Sequence, residues 1–228
     1  MILVGLDDTD NLESRGTGQL ARSIAADLAA AHRVLGVTRH QLLVDPRVPC
    51  TRNNSSAAIV LDGNGTQDLP ALADRVRELV LGDLQPGSDP GLCVAGFVPP
   101  AVIEFGRRAQ RELVTQDEAR ALAAAYGITL LGLAGSRDGV IGALAAVGLA
   151  ASGKDGRYVL VGRSRELAGL QPVEALLAAG IAAVQTLEGE PVTSGLVAVD
   201  KLRPARRGGK PIAVVQWAGD HWLPLKLD

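Results

Sequence analysis

The chain opens with a short apolar segment that runs directly into a group of carboxylates. Residues 2–6 read Ile-Leu-Val-Gly-Leu, and Asp7, Asp8 and Asp10 follow. An unbroken apolar run of this length is typical of a strand that is buried on both faces. Side chains alternate along an extended chain, so Asp8 and Asp10 point one way and Asp7 the other unless the chain turns after Leu6. The sequence therefore predicts a buried strand that ends in a strongly negative turn.

These three carboxylates repel one another unless a cation neutralises them. Mg²⁺ is a hard cation that binds one or two carboxylates, with phosphate oxygens and water completing its octahedron. A solvated acidic turn is the alternative, because such turns are common after strands. We favour the metal because an anion-binding turn follows in the same loop. Asp7, Asp8 and Asp10 are therefore the predicted metal ligands.

The anion-binding turn is a threonine between two glycines, Gly16-Thr17-Gly18, at the start of an amphipathic segment. Glycine allows a phosphate to approach the backbone, and the N-terminus of a helix offers N–H groups to an anion. Thr17 is a candidate phosphate ligand or phosphoryl acceptor, although a plain helix N-cap fits the same position. No Gly-Lys-Ser/Thr follows, so this is not a P-loop. A metal site beside an anion site predicts that the phosphates of a nucleotide bind here together with Mg²⁺.

Composition limits the class of protein. Of the 228 residues 47% are hydrophobic but only 3% are aromatic, so the core must be built from Ala, Val, Leu and Ile. The formal net charge of −2 gives no global basic field, so any nucleic-acid binding needs a local patch. Cys50 and Cys93 cannot form a four-cysteine zinc ribbon, and we interpret Cys50 as a structural thiol. No signal peptide or membrane-spanning segment is recognisable, so we expect a soluble cytoplasmic protein.

Strand-like and helix-like periodicities alternate along the chain. They predict an α/β or α+β fold with a mixed sheet and flanking helices, and the last third predicts a small β-rich subdomain. The predicted strands cover residues 1–6, 37–44, 57–61, 92–98, 128–133, 158–161, 181–187, 196–199 and 212–217. The first predicted helix begins at residue 17. Five further helices are predicted over residues 69–81, 100–113, 115–127, 140–149 and 172–179. Residues 207–210 predict a hairpin turn.

A further group of polar residues lies on the second predicted strand and in the loop after it. Arg39, Arg47 and Arg52 are suited to bidentate contacts with phosphate, and Asn53 supplies neutral donors and acceptors. His40 is a candidate acid or base, but a lone histidine in a strand is more often packed or on the surface. We therefore assign it no catalytic role.

A second glycine-rich turn lies between a predicted strand and a helix of small residues. Gly135, Gly139 and Gly142 are its key positions. They predict either a second anion cradle or tight packing of helix on sheet, and the spacing does not decide between the two.

A basic cluster near the C-terminal end of the sequence is the last candidate. It could contact a nucleic-acid backbone, but at a net charge of −2 we favour a solvated hairpin tip. The cluster consists of Lys201, Arg203, Arg206, Arg207 and Lys210.

Two of these motifs together resemble a known family. Residues 5–10, Gly-Leu-Asp-Asp-Thr-Asp, and residues 139–148, Gly-Val-Ile-Gly-Ala-Leu-Ala-Ala-Val-Gly, resemble the N-terminal kinase-like domain of agmatidine synthetase. Residues 45–49 and 53–58 are also similar to stretches of that domain. The resemblance spans roughly residues 1–150, and we expect no counterpart of the family's OB-fold and zinc ribbon. Members of this tRNA isoleucine 2-agmatinylcytidine synthetase family attach agmatine to a cytidine of an isoleucine tRNA.

The resemblance implies roles for individual residues. Asp7, Asp8 and Asp10 would hold Mg²⁺ on ATP, and Thr17 matches the threonine that becomes phosphorylated in the family. Gly139 and its neighbours would line the nucleotide site. In the family, phosphoryl transfer activates the cytidine C2 oxygen, and agmatine then displaces the phosphate. The implied organisation is an ATP-binding kinase-like domain over residues 1–152 and an α+β extension over residues 153–228. Whether the extension packs on the same sheet is left open.

Three hypotheses about function follow, in order of preference. The first is a Mg-ATP-dependent phosphotransferase or ligase-like enzyme acting on an unknown small or macromolecular acceptor. The second is a tRNA-modifying enzyme related to agmatidine synthetase, and the third is a non-catalytic nucleotide-binding module. Whether the chain binds RNA and whether it forms a homodimer are left open. The predicted catalytic residues are Asp7, Asp8 and Thr17, and the predicted cofactor-binding residues are Thr9, Gly16, Gly18, Arg39, Arg52, Asn53, Gly135, Gly139 and Gly142.

Overall fold

The computed structural model describes residues 1–51, 53–63, 68–200 and 202–227. Within these residues one sheet contains twelve strands, and there are six helices. The strands are β1 (Ile2–Asp7), β2 (Val34–Gln41), β3 (Ser55–Leu61), β4 (Gly91–Ala95), β5 (Thr129–Gly132), β6 (Arg157–Leu160), β7 (Leu170–Pro172), β8 (Ala183–Gln185), β9 (Leu196–Ala198), β10 (Ala205–Arg207), β11 (Lys210–Trp217) and β12 (Trp222–Pro224). The helices are α1 (Thr17–Leu28), α2 (Leu69–Gly82), α3 (Pro100–Ala109), α4 (Gln116–Ala125), α5 (Gly139–Ser152) and α6 (Val173–Ala178).

The strand order explains why the first strand is apolar without alternation. The order is β5-β4-β1-β3-β2-β6-β10-β11-β12-β9-β7, and β8 pairs with β11. β1 is antiparallel to both of its neighbours, with Val4 opposite Ile59 on β3 and Val94 on β4. Val4 packs in a core shared with α1 and α2, whereas Leu3 packs in the core on the opposite face, around α5. Both faces of β1 are therefore buried, as the apolar run predicted.

The glycines and alanines of α5 allow that helix to lie almost on the backbone of the sheet. A β-carbon on Gly5 would lie 2.1 Å from the carbonyl oxygen of Ala143. A β-carbon on Gly91 of β4 would lie 2.0 Å from the carbonyl oxygen of Gly139. The small residues thus bring the N-terminus of α5 against the end of β1, where the carboxylates lie.

The last third of the chain continues the same sheet. β2 pairs with β6, and β6 pairs with β10, so residues on both sides of position 152 share one run of strands. This part has its own core, in which Val173, Leu176 and Val215 are fully buried. The division at residues 152 and 153 stays a prediction.

Some element boundaries differ from the prediction. The second strand begins at Val34 and ends at Gln41. Leu42 still donates its backbone N–H to the carbonyl of Asn54, but Leu43 donates to the carbonyl of Ala109, so the chain leaves the sheet there. α3 ends at Ala109, and the Gln110 side chain donates to the backbone carbonyl of Gln41 at 2.9 Å. The three-residue strands β7, β10 and β12 were not predicted as strands, because so few residues show no periodicity. None of the helices among the described residues combines the length and apolar character needed to cross a membrane.

Candidate active site

A cleft of about 400 Å³ opens where β1 ends. Asp7, Asp8 and Asp10 all line it, so the structure brings the three predicted carboxylates to one cavity. The opposite wall is formed by the chain after β2 and by the segment between α3 and α4. Apolar residues of that wall include Leu42, Leu43, Val48, Leu113 and Val114.

Asp7 is the most strongly perturbed acid of the cleft. It is the last residue of β1 and lies against α5, where a β-carbon on Gly142 would be only 1.8 Å from Asp7 Oδ2. Burial, with a smaller contribution from the charge of Asp8, raises the pKa of Asp7 to about 8. The Asp7 carboxylate therefore bears its charge at neutral pH readily only when a cation lies beside it.

Asp8 forms the turn that redirects the chain out of the sheet. Its φ of +50° is in the left-handed region, and its carbonyl accepts the backbone N–H of Asp89 at 3.1 Å. Burial and then the charge of Asp89 raise the pKa of Asp8 to about 6, and Asp10 and Asp138 add to the effect. This backbone conformation is strained for a residue with a side chain, as is often found at functional sites.

Two further aspartates of the cleft were missed by the sequence analysis. Asp89 precedes β4, and Asp138 is the N-cap residue of α5. Ser136 connects them, because its backbone N–H donates to Asp89 at 2.7 Å and its hydroxyl donates to Asp138 at 2.9 Å. Asp138 lies within the second glycine-rich turn, between Gly135 and Gly139, but was assigned no role there, and Asp89 belongs to no local motif. The cleft therefore holds five aspartates rather than three.

These acids do not form a complete metal site by themselves. Among the described residues, no group of three or more His, Cys, Asp or Glu side chains is arranged to hold a metal ion. Mg²⁺ commonly binds through only one or two carboxylates together with substrate phosphates and water. The donor set therefore fits a metal that enters with a phosphate ligand better than one held by the protein alone.

Three helices begin at the cleft. The first residues of α1, α4 and α5 are Thr17, Gln116 and Gly139, and all three line the cavity. The N-terminus of a helix carries partial positive charge and N–H groups that favour an anion. The same cavity thus contains carboxylates suited to a cation and helix ends suited to phosphate.

Thr17 lies between the carboxylates and the first turn of α1. Its side chain is almost fully buried, and its hydroxyl donates to Asp10 Oδ1 at 3.0 Å. The hydroxyl of Thr9 donates to Thr17 Oγ1 at 3.1 Å. Thr9 is buried and does not line the cleft, so it positions Thr17 rather than facing a ligand. Asp10 is placed to accept a proton from the Thr17 hydroxyl.

A second cavity of about 200 Å³ adjoins the cleft on the other side of Thr17. Asp10 and Thr17 line both cavities, and so do Asn53 and Ser55. Its remaining lining residues are Gly16, Gly18, Arg39 and Ser56. Arg52, also predicted to bind the cofactor, lies outside the described residues.

Three predicted assignments are changed by the structure. Cys50 is exposed and lines the cleft, so it is not a structural thiol, whereas Cys93 is buried. Arg206 is buried and donates to the carbonyl of Ala150 at 3.1 Å, so it does not lie on a solvated hairpin tip. Gly135 does not line the cleft. It lies in the left-handed region with a φ of +57°, against the carboxylate of Asp89.

Other predicted residues lie nearby in different roles. Arg47 lines the cleft but forms a bidentate pair with Asp45, with both N–O distances at 2.8 Å. His40 is a fully buried residue of β2, and its Nδ1 lies 2.7 Å from Asp155 Oδ1. It does not line the cleft. Gly139 and Gly142 do line the cleft, and both also make the close helix–sheet packing that the spacing allowed.

The chain resembles one class of enzyme, the tRNA 2-agmatinylcytidine synthetases. It is 28% identical over 157 residues to the tRNA(Ile2) 2-agmatinylcytidine synthetase TiaS of Pyrococcus horikoshii. The aligned region covers 65% of this chain and 35% of the synthetase. No protein-family model matches the chain.

Solved structures give the same result for the fold. The crystal structure of the TiaS–tRNA(Ile2)–ATP complex matches with a TM-score of 0.57 and 27% identity, over 64% of this chain and 36% of that chain. The TiaS–tRNA(Ile2)–AMPCPP–agmatine complex matches with a TM-score of 0.55 and 26% identity, over 64% and 35%. The mixed α/β fold therefore matches that of a TiaS domain, as the resemblance implied. The chain spans about a third of the length of these relatives.

Proposed function

We propose that this chain binds Mg-ATP in the cleft and uses it to activate an RNA, as an enzyme related to the agmatidine synthetases. One observation carries the proposal: five aspartates and the N-termini of three helices line the same cavity. The resemblance to synthetases solved with tRNA and ATP supports it and favours an RNA acceptor over the unspecified acceptor of the first hypothesis.

The residues of the cleft have separable roles in this proposal. Asp7 and Asp8 would bind Mg²⁺, which would neutralise the charge of the phosphates during transfer. The N–H groups at the starts of α1 and α5 would hold phosphate oxygens. Thr17 would contact the transferred phosphoryl group or accept it, and Asp10 would take the hydroxyl proton in the second case.

A specific observation favours a small acceptor as the second candidate. The net charge of −2 provides no long-range attraction for a polynucleotide. The apolar wall around Leu42 and Val48 could instead contact a small molecule. In that case the chain would be a phosphotransferase with the same Mg-ATP site, and Mg-ATP turnover would require no RNA.

Ligand-induced stabilisation tests the ATP site. We expect Mg-ATP to raise the melting temperature of the wild type, because a ligand at one hundred times its Kd adds about 2.7 kcal/mol. The melting temperature of the Asp8→Asn variant should be the same with and without Mg-ATP, since the substitution removes a proposed metal ligand. Cys50 provides a second readout, because it is exposed in the cleft while Cys93 is buried.

Mg-ATP should slow alkylation of Cys50 in the wild type and leave its rate unchanged in Asp8→Asn. Equal stabilisation of both proteins by Mg-ATP would refute the site.

The acceptor is tested separately by phosphate release with and without total tRNA. Stimulation by tRNA supports the RNA acceptor, turnover independent of tRNA supports the small acceptor, and binding without turnover supports the non-catalytic module.

A further inference from the structure

Several arginines gather at the junction between α1 and the last third of the chain. Arg22 lies on α1, Arg165 follows β6, and Arg203 precedes β10. On the sheet beneath them, Arg157 of β6 is in register with Arg39 of β2. The cluster of Arg22, Arg165 and Arg203, here called the junction arginines, therefore combines residues that are far apart in sequence.

The junction arginines are not neutralised by carboxylates in the part of the chain that the structure describes. The hydrogen bonds of their guanidinium groups go to backbone carbonyls, at 3.2 Å for Arg22, 3.3 Å for Arg165 and 3.1 Å for Arg203. Seven other arginines do pair with Asp or Glu, namely Arg33, Arg47, Arg75, Arg77, Arg107, Arg108 and Arg111.

Backbone contacts attach the three arginines to neighbouring parts of the fold around β6. Arg165 donates to the carbonyl of Val159 on β6, and Val159 packs against the core that contains α1. Arg203 directly precedes Pro204, whose carbonyl accepts the backbone N–H of Tyr158 on β6.

Burial and then Arg165 lower the pKa of Arg22, and burial followed by Arg165, Arg22 and Arg157 lowers the pKa of Arg203. Like charges held together without acidic partners cost stability, and a bound anion would remove that cost. Arginine is also the side chain best suited to phosphate, because its planar fork binds two oxygens at once.

The junction arginines continue the second cavity. The Arg22 side chain bonds to the carbonyl of Gly18, which lines that cavity, and Arg39 forms part of the cavity wall. Thr17 and Asp10 separate this basic side from the acidic cleft. An extended polyanion lying on the arginines would therefore end beside Thr17, where the proposed phosphoryl transfer takes place.

We propose that the junction arginines bind phosphates of an RNA backbone and hold the acceptor nucleotide beside Thr17. The inference rests on the proposed function for the identity of the polyanion, and it assigns the local basic patch that the net charge of the whole chain does not reveal. The site binds phosphodiester groups without reading sequence, since arginine contacts to phosphate position a nucleic acid but do not specify its bases.

The test is binding of a short fluorescein-labelled oligoribonucleotide, measured by anisotropy over a series of KCl concentrations. The variant carries Arg22→Gln, Arg165→Gln and Arg203→Gln. Each lost phosphate contact should reduce the slope of log affinity against log salt by about 1. At moderate salt we expect roughly tenfold weaker binding or more. The control variant, Arg33→Gln, Arg75→Gln and Arg77→Gln, loses the same charge from paired arginines and should bind nearly as the wild type does.

Folding of the variant is checked by its melting temperature, which should be unchanged or higher because repulsion is removed. If it falls, Arg165→Glu alone provides the test, since this exposed residue can reverse its charge without disturbing the core. Stabilisation by Mg-ATP should persist in all variants.

The outcomes separate this inference from the proposed function. RNA binding by the wild type that is equally strong in the variant would overturn the junction site and leave the RNA acceptor standing. No RNA binding by the wild type would overturn both. If inorganic phosphate binds the cluster while the oligoribonucleotide does not, the ligand is a small phosphate compound and the RNA assignment is wrong.

Discussion

At the scale of single residues, burial disfavours the charged form of Asp7 and of Asp8 in the cleft. Asp7 is packed against α5, and burial raises its pKa to about 8. A carboxyl whose pKa is raised on folding contributes stability that is complete below its unfolded pKa of about 3.8 and is lost as the pH rises through about 8. The protein without its ligand should therefore lose stability at Asp7 across this range.

Asp7→Asn tests this pH dependence. Asparagine has the shape of the protonated carboxyl, so the free energy of unfolding should match the wild type near pH 4 and exceed it at pH 8. We expect a difference of about 1–3 kcal/mol, because a tenfold change in proton affinity is worth about 1.4 kcal/mol. Urea unfolding over a pH series measures it, with Asp83→Asn on the exposed surface as the control. If the difference in unfolding free energy between Asp7→Asn and the wild type stays constant with pH, the raised pKa of Asp7 is not its cause.

At the scale of elements, the contact between α5 and β1 sets the geometry of the cleft. Glycine is required at position 142 because the Asp7 carboxylate occupies the space of a β-carbon. At Gly82, near the end of α2, a β-carbon would meet no atom within 4 Å. The same substitution at these two helical glycines should therefore have opposite results.

Gly142→Ala should destabilise the protein by about 1–3 kcal/mol, since overpacking forces Asp7 out of position. It should also abolish stabilisation by Mg-ATP. Gly82→Ala should stabilise by about 0.4–1 kcal/mol through the entropy of the unfolded chain, and its response to Mg-ATP should be normal. Chemical denaturation with and without ligand compares the pair. A normal Mg-ATP response in Gly142→Ala would show that Asp7 need not occupy its observed position.

At the scale of the whole molecule, a buried polar contact ties the turn before β6 to β2 in the first part of the same sheet. His40 on β2 is bonded to Asp155, which lies in the turn between α5 and β6, and Gln110 donates to the same carboxylate at 3.0 Å. Burial lowers the pKa of His40, so the neutral ring is favoured. The stability contributed by His40 is therefore present above its unfolded pKa of about 6.5 and is lost as the pH falls.

Asp155→Ala should lower the free energy of unfolding by about 1–3 kcal/mol at pH 7.5, because a buried imidazole N–H loses its acceptor. The control is Asp220→Ala, which breaks the contact of Asp220 with His221 on the surface and should cost less than about 1 kcal/mol. Circular dichroism in urea measures both changes. Equal losses would indicate that the His40 contact does not hold the two parts of the sheet together.

Local patterns in the sequence were sufficient for several elements. The helix predicted over residues 115–127 begins with a capping box, in which the backbone N–H of Glu118 donates to Thr115 Oγ1 and the backbone N–H of Thr115 donates to Glu118. The burial of β1 also follows from a pattern within a few residues, whereas the spacing of the small residues in α5 left helix–sheet packing and an anion cradle both open. These features depend on periodicity and backbone chemistry, which act over short distances along the chain.

What the sequence alone determined was the negative turn after β1 and the neighbouring glycine turns. Only the tertiary structure decided that Asp89 and Asp138 complete the cleft, that Arg206 is buried, and that the junction arginines lie around β6. The pairing of β1 with β4 brings Asp89 beside Asp8, and the packing of α5 on that sheet brings Asp138 to it. Such contacts depend on strand register and helix packing between distant segments, and no local pattern encodes them.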